Sequence, residues 1–135
     1  ALATITKLEK INAPEVFKRT GGTIRNAVQG MITDFELDDV VSVAGVDWWP
    51  RIVVRAYGKN SQIEMTTLLR QELIEHGIFI GGGFNLSIAH SDEGVITETL
   101  LGIRQSFEKF STYLKTANTM SNLRGELIKP VFQVR

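Results

Sequence analysis

Two histidines are the first residues of this 135-residue chain to consider for chemistry, because imidazole titrates near neutral pH and can serve as a general base or a metal ligand. His76 and His90 lie on different predicted elements, and neither belongs to a His-Glu-x-x-His motif. The chain has no cysteine, so disulfides and thiolate metal sites are excluded. A Gly-x-Ser-x-Gly nucleophile turn is also absent. We therefore predict no catalytic residue and no metal site in this chain, and we interpret His90 as a structural residue near a site.

The sharpest local feature is the run Gly81-Gly82-Gly83-Phe84-Asn85, called the glycine loop below. Glycines allow backbone N–H groups to approach a ligand without intervening side chains. A phosphate-binding loop, however, leads into a helix N-terminus and often carries a lysine, whereas this loop leads into an extended segment. Three interpretations stay open: a stand-alone anion site, a tight turn between strands, or the lining of a cleft shared with another domain.

Two adjacent tryptophans, Trp48 and Trp49, precede Pro50 at the tip of a predicted hairpin. Large apolar rings are costly to leave in water, so they either fold back onto the core or form an interface. Aromatic side chains are common interface anchors. The pair is therefore a candidate contact with a missing domain or a second subunit.

Helical periodicity begins near the start of the chain. Leu2, Ile5 and Leu8 recur at helical spacing up to a break at Asn12 and Pro14, and a second helix follows. Its apolar face consists of Phe17, Ile24, Val28, Met31 and Phe35. Gly21-Gly22 falls inside this pattern at a cost of about 1 kcal/mol for each glycine. The pair predicts a kink or a close packing contact.

The middle of the chain combines a hairpin with a helix. Val40–Val46 and Arg51–Tyr57 are β-rich runs that predict an antiparallel hairpin with an irregular connection. Ser61 and Glu64 form a capping box that opens a helix ending at Gly77. Its inward residues are predicted to be Met65, Leu68, Leu69 and Leu73.

In the last third of the chain, the sequence pattern predicts short strands at Ile78–Ile80 and Leu86–Ala89. A long helix capped by Ser91 is predicted to follow them. The buried stripe of that helix is Ile96, Leu100, Ile103, Phe107, Phe110 and Leu114. A final β-like run, Leu127–Val134, is interrupted by Pro130 and fits an edge strand or an extended tail. The predicted fold is a single α+β two-layer domain, residues 1–135. It has a small, mainly antiparallel sheet of three to four strands covered on one face by about four helices, with 115–135 as a partly extended tail.

Composition restricts the class of protein and its partners. Fifteen basic and fifteen acidic residues give zero net charge, so no basic stripe for nucleic acid is expected. No apolar run approaches the ~20 residues that cross a bilayer, and no basic-then-apolar leader opens the sequence. We expect a cytoplasmic protein with neither a nucleic-acid nor a membrane partner.

Three segments together resemble a known family: Leu69–Ile80, the glycine loop, and Leu86–Glu93. They are similar to the C-terminal signature of the class III, fold-type I pyridoxal-phosphate aminotransferases, a family that includes the glutamate-1-semialdehyde aminomutases. In that signature a helix ending in Gly leads to a strand, a variable loop, and a strand ending in Ala-His-Ser/Thr-Asp-Glu at the head of the last long helix. The resemblance covers about residues 1–114.

The resemblance implies that this chain is the small domain of an aminotransferase or aminomutase, with Gly81, Gly82, Gly83, Phe84 and Asn85 lining one side of the active-site cleft. Pyridoxal 5'-phosphate, its Schiff-base lysine and its aspartate partner would belong to a large domain outside the chain. The chain alone would then be inactive, and its partners would be that large domain and a second subunit.

The sequence also departs from the family in two places that leave the substrate open. Many relatives carry a carboxylate-binding arginine in this domain, yet none lies between Arg70 and Arg104. The aminomutases have a Phe-Glu pair where Phe84 is followed by Asn85. Two other functions stay open: a small module that binds an amino acid or anion at the glycine loop, and a dimerisation domain built on Trp48, Trp49 and the first helix.

Overall fold

The computed structural model describes residues 2–129, and its first two elements are helices joined at Asn12. Helix α1 (Leu2–Lys10) ends before Asn12, whose φ of 49° is left-handed, a conformation that asparagine tolerates well. Helix α2 (Ala13–Asp34) begins there, with Pro14 in its first turn. Backbone N–H groups in the first turn have no acceptor within the helix, so the N–H that proline lacks is not needed there. Both predicted helices are confirmed. Leu2 and Ile5 of α1 are exposed, however, and none of its side chains is buried.

Gly21 brings α2 into backbone contact with the tip of a hairpin. A Cβ built on Gly21 would lie 1.6 Å from the carbonyl oxygen of Asp47, so no other residue fits there without a shift of the backbone. Arg25 Nη1 donates to Asp47 Oδ1 at 3.0 Å and joins the same two elements. Of the two outcomes predicted for Gly21-Gly22, the close packing contact is the one that forms.

Strands β1 (Val41–Val46) and β2 (Trp49–Val54) form this antiparallel hairpin, with Val46 opposite Trp49. The connection is thus a two-residue turn, and β2 begins and ends earlier than the predicted run Arg51–Tyr57. Gly45 allows this closure because its φ is 86°, and a Cβ there would lie 2.4 Å from the Trp49 carbonyl oxygen. Pro50 lies opposite Gly45 in the strand.

Helix α3 (Gln62–Glu75) follows the predicted capping box. The Ser61 side chain accepts from the Glu64 backbone N–H, and Glu64 accepts from the Ser61 backbone N–H at 2.6 Å. The Ser61 hydroxyl also donates to the Glu64 carboxylate at 2.7 Å, and this bond, followed by the one from the Ser61 backbone N–H, lowers the pKa of the Glu64 carboxyl. The predicted inward residues Met65, Leu68, Leu69 and Leu73 are all buried, and Gly77 follows the helix with a φ of 76°.

The two short strands predicted at Ile78–Ile80 and Leu86–Ala89 do not form, and residues 88–91 make a 3₁₀ helix instead. The backbone groups between these two segments form hydrogen bonds with residues of β2 and α3. Phe84 N donates to Pro50 O at 2.9 Å, while the carbonyls of Gly81 and Gly82 accept from arginine side chains. The described part of the chain therefore has a two-stranded sheet in place of three to four strands.

Helix α4 (Glu93–Leu114) is capped by Asp92 and not by Ser91. The Asp92 carboxylate accepts from Val95 N at 3.1 Å, whereas Ser91 Oγ donates to Ile88 O within the 3₁₀ turn. The predicted stripe is confirmed in the centre of the helix, where Ile103, Phe107 and Phe110 are 0% exposed. Its other three members, Ile96, Leu100 and Leu114, are partly buried, and the last two pack against the core.

The core lies between α2, α3, α4 and the hairpin, which is the arrangement of an α+β domain. Its fully buried side chains are Ile24, Val28, Ile32, Leu37, Val40, Val41, Met65, Leu68, Leu69, Ile103, Phe107 and Phe110. Truncating a buried phenylalanine in such a core costs about 3–5 kcal/mol.

The C-terminal tail, described as far as Lys129, contains a short 3₁₀ helix (Thr119–Asn122) and then runs along α3 without regular structure. Gln71 Oε1 accepts from Arg124 N at 2.7 Å, and Thr67 Oγ1 accepts from Ile128 N at 3.2 Å. No strand forms at 127–129; the rest of the predicted run Leu127–Val134 lies outside the described residues.

Candidate functional site

The glycine loop lies against strand β2. Besides the backbone bond from Phe84 N to Pro50 O, Trp49 Nε1 donates to Asn85 Oδ1 at 3.2 Å. Gly83 is buried where a Cβ would meet Arg51 Cγ at 2.9 Å and Pro50 O at 3.2 Å. The absence of a side chain at Gly83 is what lets the loop approach the strand.

Two arginines hold the exposed half of the loop. Arg51 Nε, on β2, donates to the carbonyl oxygen of Gly82 at 2.9 Å, and its guanidinium lies 5.4 Å from the centre of the Trp49 ring. Arg70 Nη2, on α3, donates to the carbonyl oxygen of Gly81. The two guanidinium groups therefore bind consecutive carbonyls of the same loop.

A cavity of about 180 Å³ lies beneath these bonds. Its lining combines both arginines and loop glycines with residues from β2 and α3: Ile52, Val53, Val54, Gln62, Thr66, Leu69, Leu73 and Ile80. A Cβ built on Gly81 or Gly82 would meet nothing within 4 Å, so the outer face of the loop is open. A ligand could reach both the loop and the cavity.

The two tryptophans do not fold into the core: Trp48 is 57% exposed and Trp49 is 44% exposed. Trp48 forms an apolar groove of about 380 Å³ with Pro14, Phe17 and Leu86. Leu2 and Ile5 of helix α1 are 78% and 52% exposed. Whether this surface is an interface stays a prediction.

The histidines are not brought together, and their contacts are structural. His90 Nδ1 lies 2.9 Å from both the backbone nitrogen and the hydroxyl of Ser87, in a capping arrangement at the start of the 3₁₀ turn. His76 is the exposed C-cap of α3. Neither geometry is that of a general base held against a nucleophile and an orienting acid.

A buried carboxylate, Glu72, is the centre of a second polar cluster that joins α3, α4 and the tail. It is 3% exposed and accepts hydrogen bonds from Tyr113 Oη at 3.2 Å and Arg124 Nη2 at 3.0 Å. Burial raises the pKa of the Tyr113 hydroxyl, and the charge of Glu72 raises it further. All members of the cluster are hydrogen-bonded, which fits a structural role.

Sequence reasoning singled out the glycine loop but missed Arg51 and Arg70. They come from a strand and a helix, and no local pattern links them. Both arginines bind the glycine loop, and this could have been suspected only if the packing of the loop on β2, which Gly83 makes possible, had been known.

Among residues 2–129 there is no group of three or more histidine, aspartate or glutamate side chains placed to hold a metal ion. Within the same range, no helix has the length and hydropathy required to span a bilayer.

Comparison with known proteins gives no relative: no protein-family model matches the chain, and neither a curated protein nor a solved structure matches it significantly.

Proposed function

We propose that this chain is the small domain of a class III pyridoxal-phosphate aminotransferase or aminomutase, in which the glycine loop forms one wall of the active-site cleft. The observation that supports it best is the loop itself. Its inner residue, Gly83, is packed on β2, and two arginines fix its carbonyls, while Gly81 and Gly82 face open space. A rigid wall without side chains allows a substrate to lie close to the backbone.

The residues around the loop do not fit the cofactor itself. Among residues 2–129, no lysine lines the cavity beneath the loop, so this part of the chain offers no amine to hold an aldehyde cofactor. In the proposed protein, pyridoxal phosphate is held by a separate large domain. This chain contributes positioning and the exclusion of water from one side of the cleft.

The proposed partners are that large domain and a second subunit. The surface available for them consists of helix α1, the tryptophan pair and the groove at Pro14 and Phe17. Exposed apolar patches of this kind usually mark interaction sites. A purely dimerising module is a second candidate, favoured by the same surface.

The test is chemical trapping of the cofactor. The chain is incubated with pyridoxal phosphate, reduced with borohydride, and its labelled lysines are mapped by mass spectrometry. We expect only weak, unselective labelling of surface lysines here. The longer polypeptide encoded in frame with this chain should be labelled at one lysine outside residues 1–135.

Two results would contradict the proposal. One is saturable labelling of a single lysine within this chain, which would give it a cofactor site of its own. The other is an upstream reading frame that encodes no cofactor-binding domain. Transaminase activity of the longer polypeptide, absent from this chain alone, would support it.

A further inference from the structure

The cavity beneath the glycine loop combines an apolar floor with a cationic rim. Val54, Leu69 and Leu73 belong to the core and close its inner side. Arg51 and Arg70 lie at its outer side, with Gln62 and Thr66 as further polar lining. Its volume of about 180 Å³ is below the roughly 300–1,000 Å³ of sites for drug-sized ligands, so any ligand must be small.

The two guanidinium groups have donors to spare. Each carries five N–H groups, and within residues 2–129 each uses one of its nitrogens, on the carbonyls of Gly82 and Gly81 respectively. These single bonds fix the orientation of the guanidinium planes and leave the other N–H groups available.

The charge at this place is not compensated by the described residues. Neither Arg51 nor Arg70 forms an ion pair with any of them, and no aspartate or glutamate lines the cavity. Arg25, Arg104 and Arg124, by contrast, each have a carboxylate partner. Two like charges held on adjacent carbonyls repel each other, and a bound anion would relieve that repulsion.

We propose that this cavity binds the oxyanion of a small organic acid, a carboxylate or a phosphate, between Arg51 and Arg70. Guanidinium groups recognise both oxyanions through paired N–H bonds. The aliphatic floor accepts a short hydrocarbon chain on the same molecule. The site consists only of residues of this chain, so it goes beyond the proposed aminotransferase role and does not depend on it.

The loop has a different part in this site from the one its glycines suggest. The carbonyls of Gly81 and Gly82 accept from the two guanidinium groups, so in this site the loop backbone orients the cations. Stacking of Arg51 on Trp49 restrains the same side chain from its other side.

The test is an NMR titration of the intact chain with inorganic phosphate, with butyrate, and with neutral butyramide as the control probe. We expect phosphate or butyrate to shift the resonances of residues 51–54, 66–73 and 80–82, and butyramide to shift none. Binding should weaken as ionic strength rises. The stronger of the two anions identifies the oxyanion class.

Arg51→Gln and Arg70→Gln should each weaken binding by at least about tenfold. Arg55→Gln is the matched control because Arg55 is an exposed arginine just beyond the same strand, bonded to Ser42 and Asp38 O, and it should bind within about twofold of wild type. Should Arg51→Gln fail to fold, Arg51→Lys keeps the charge without the planar fork and should weaken binding partially. Absence of any shift with both anions, or unchanged affinity in folded Arg51 and Arg70 variants, would overturn the proposal.

Discussion

Neighbouring glycines of the loop differ in their surroundings. Gly83 is enclosed by Arg51, Trp49 and Pro50, whereas Gly82 has open space where a Cβ would lie. The loop therefore depends on one of its glycines for packing, and the other is available for contact with a ligand or partner.

We expect Gly83→Ala to lower the free energy of unfolding by about 1–3 kcal/mol, because its methyl group would lie 3.2 Å or less from three atoms of β2. The measurement is urea denaturation followed by tryptophan fluorescence. Gly82→Ala is the matched control and should change stability by less than about 0.5 kcal/mol. Equal effects of the two substitutions would mean that the loop does not pack on β2 as described.

The Glu72 cluster predicts a loss of stability at alkaline pH. The folded-state pKa of Tyr113 is raised above 10.0, so the unfolded chain releases this proton first as pH increases. The contribution is therefore fully present below about pH 10 and is lost as pH rises from there through the folded-state pKa. Denaturant titrations at a series of pH values between 8 and 11, roughly, should show the decline.

Tyr113→Phe should make that decline shallower and should lower stability by about 1–3 kcal/mol at neutral pH, since Glu72 loses a hydrogen bond. Tyr57→Phe is the control, because the Tyr57 hydroxyl lies outside the cluster. An unchanged alkaline slope in Tyr113→Phe would rule out Tyr113 as its origin.

At the scale of elements, the contact between α2 and the hairpin depends on Gly21. Alanine there would place a methyl group 1.6 Å from a backbone oxygen, so the hairpin tip must move. We expect Gly21→Ala to cost about 3 kcal/mol or more.

Gly22→Ala supplies the comparison within the same helix turn. Its Cβ would meet only Asp47 Cγ at 3.9 Å, an ordinary contact, so the gain in helix propensity should stabilise the protein by up to about 1 kcal/mol. Thermal or urea unfolding of both variants measures the difference. A Gly21→Ala protein as stable as wild type would contradict the described approach of the hairpin.

The elements that sequence reasoning predicted well are those whose signals are local. The capping box at Ser61, the periodicity of α2 and α4, and the β-branched runs of the hairpin all lie within a few residues of the structure they specify. Boundaries were less accurate, and the cap of α4 moved from Ser91 to Asp92 because Ser91 bonds inside its own 3₁₀ turn.

The predicted strands at Ile78–Ile80 and Leu86–Ala89 failed for a non-local reason. The loop between them pairs with side chains of β2 and α3 that are distant in sequence, and a pattern search cannot anticipate those partners. The same applies to the arginine pair. Its convergence depends on how β2 lies beside α3, which is a property of the packed domain.

On the scale of the whole molecule, the exposed apolar side chains of α1 and of Trp48 predict self-association of the chain. Single domains rarely leave large contiguous apolar patches in water. Sedimentation velocity over a range of concentrations should reveal a reversible dimer or larger species.

Trp48→Ser should weaken this association by about tenfold or more, because it removes a large ring that is 57% exposed from the groove. Phe79→Ser is the matched control: Phe79 is 87% exposed and does not line that groove. A chain that stays monomeric at all concentrations would contradict self-association through this surface.

The hydrogen bonds between the tail and α3 should slow the exchange of particular tail amides with solvent deuterium. The amides of Arg124 and Ile128 donate to side chains of α3, Gln71 and Thr67. In an irregular segment that is largely exposed, these two amides should exchange more slowly than those between them. Thr67→Val would then speed exchange at Ile128 and leave Arg124 protected, because each amide is bonded to α3 through a different side chain.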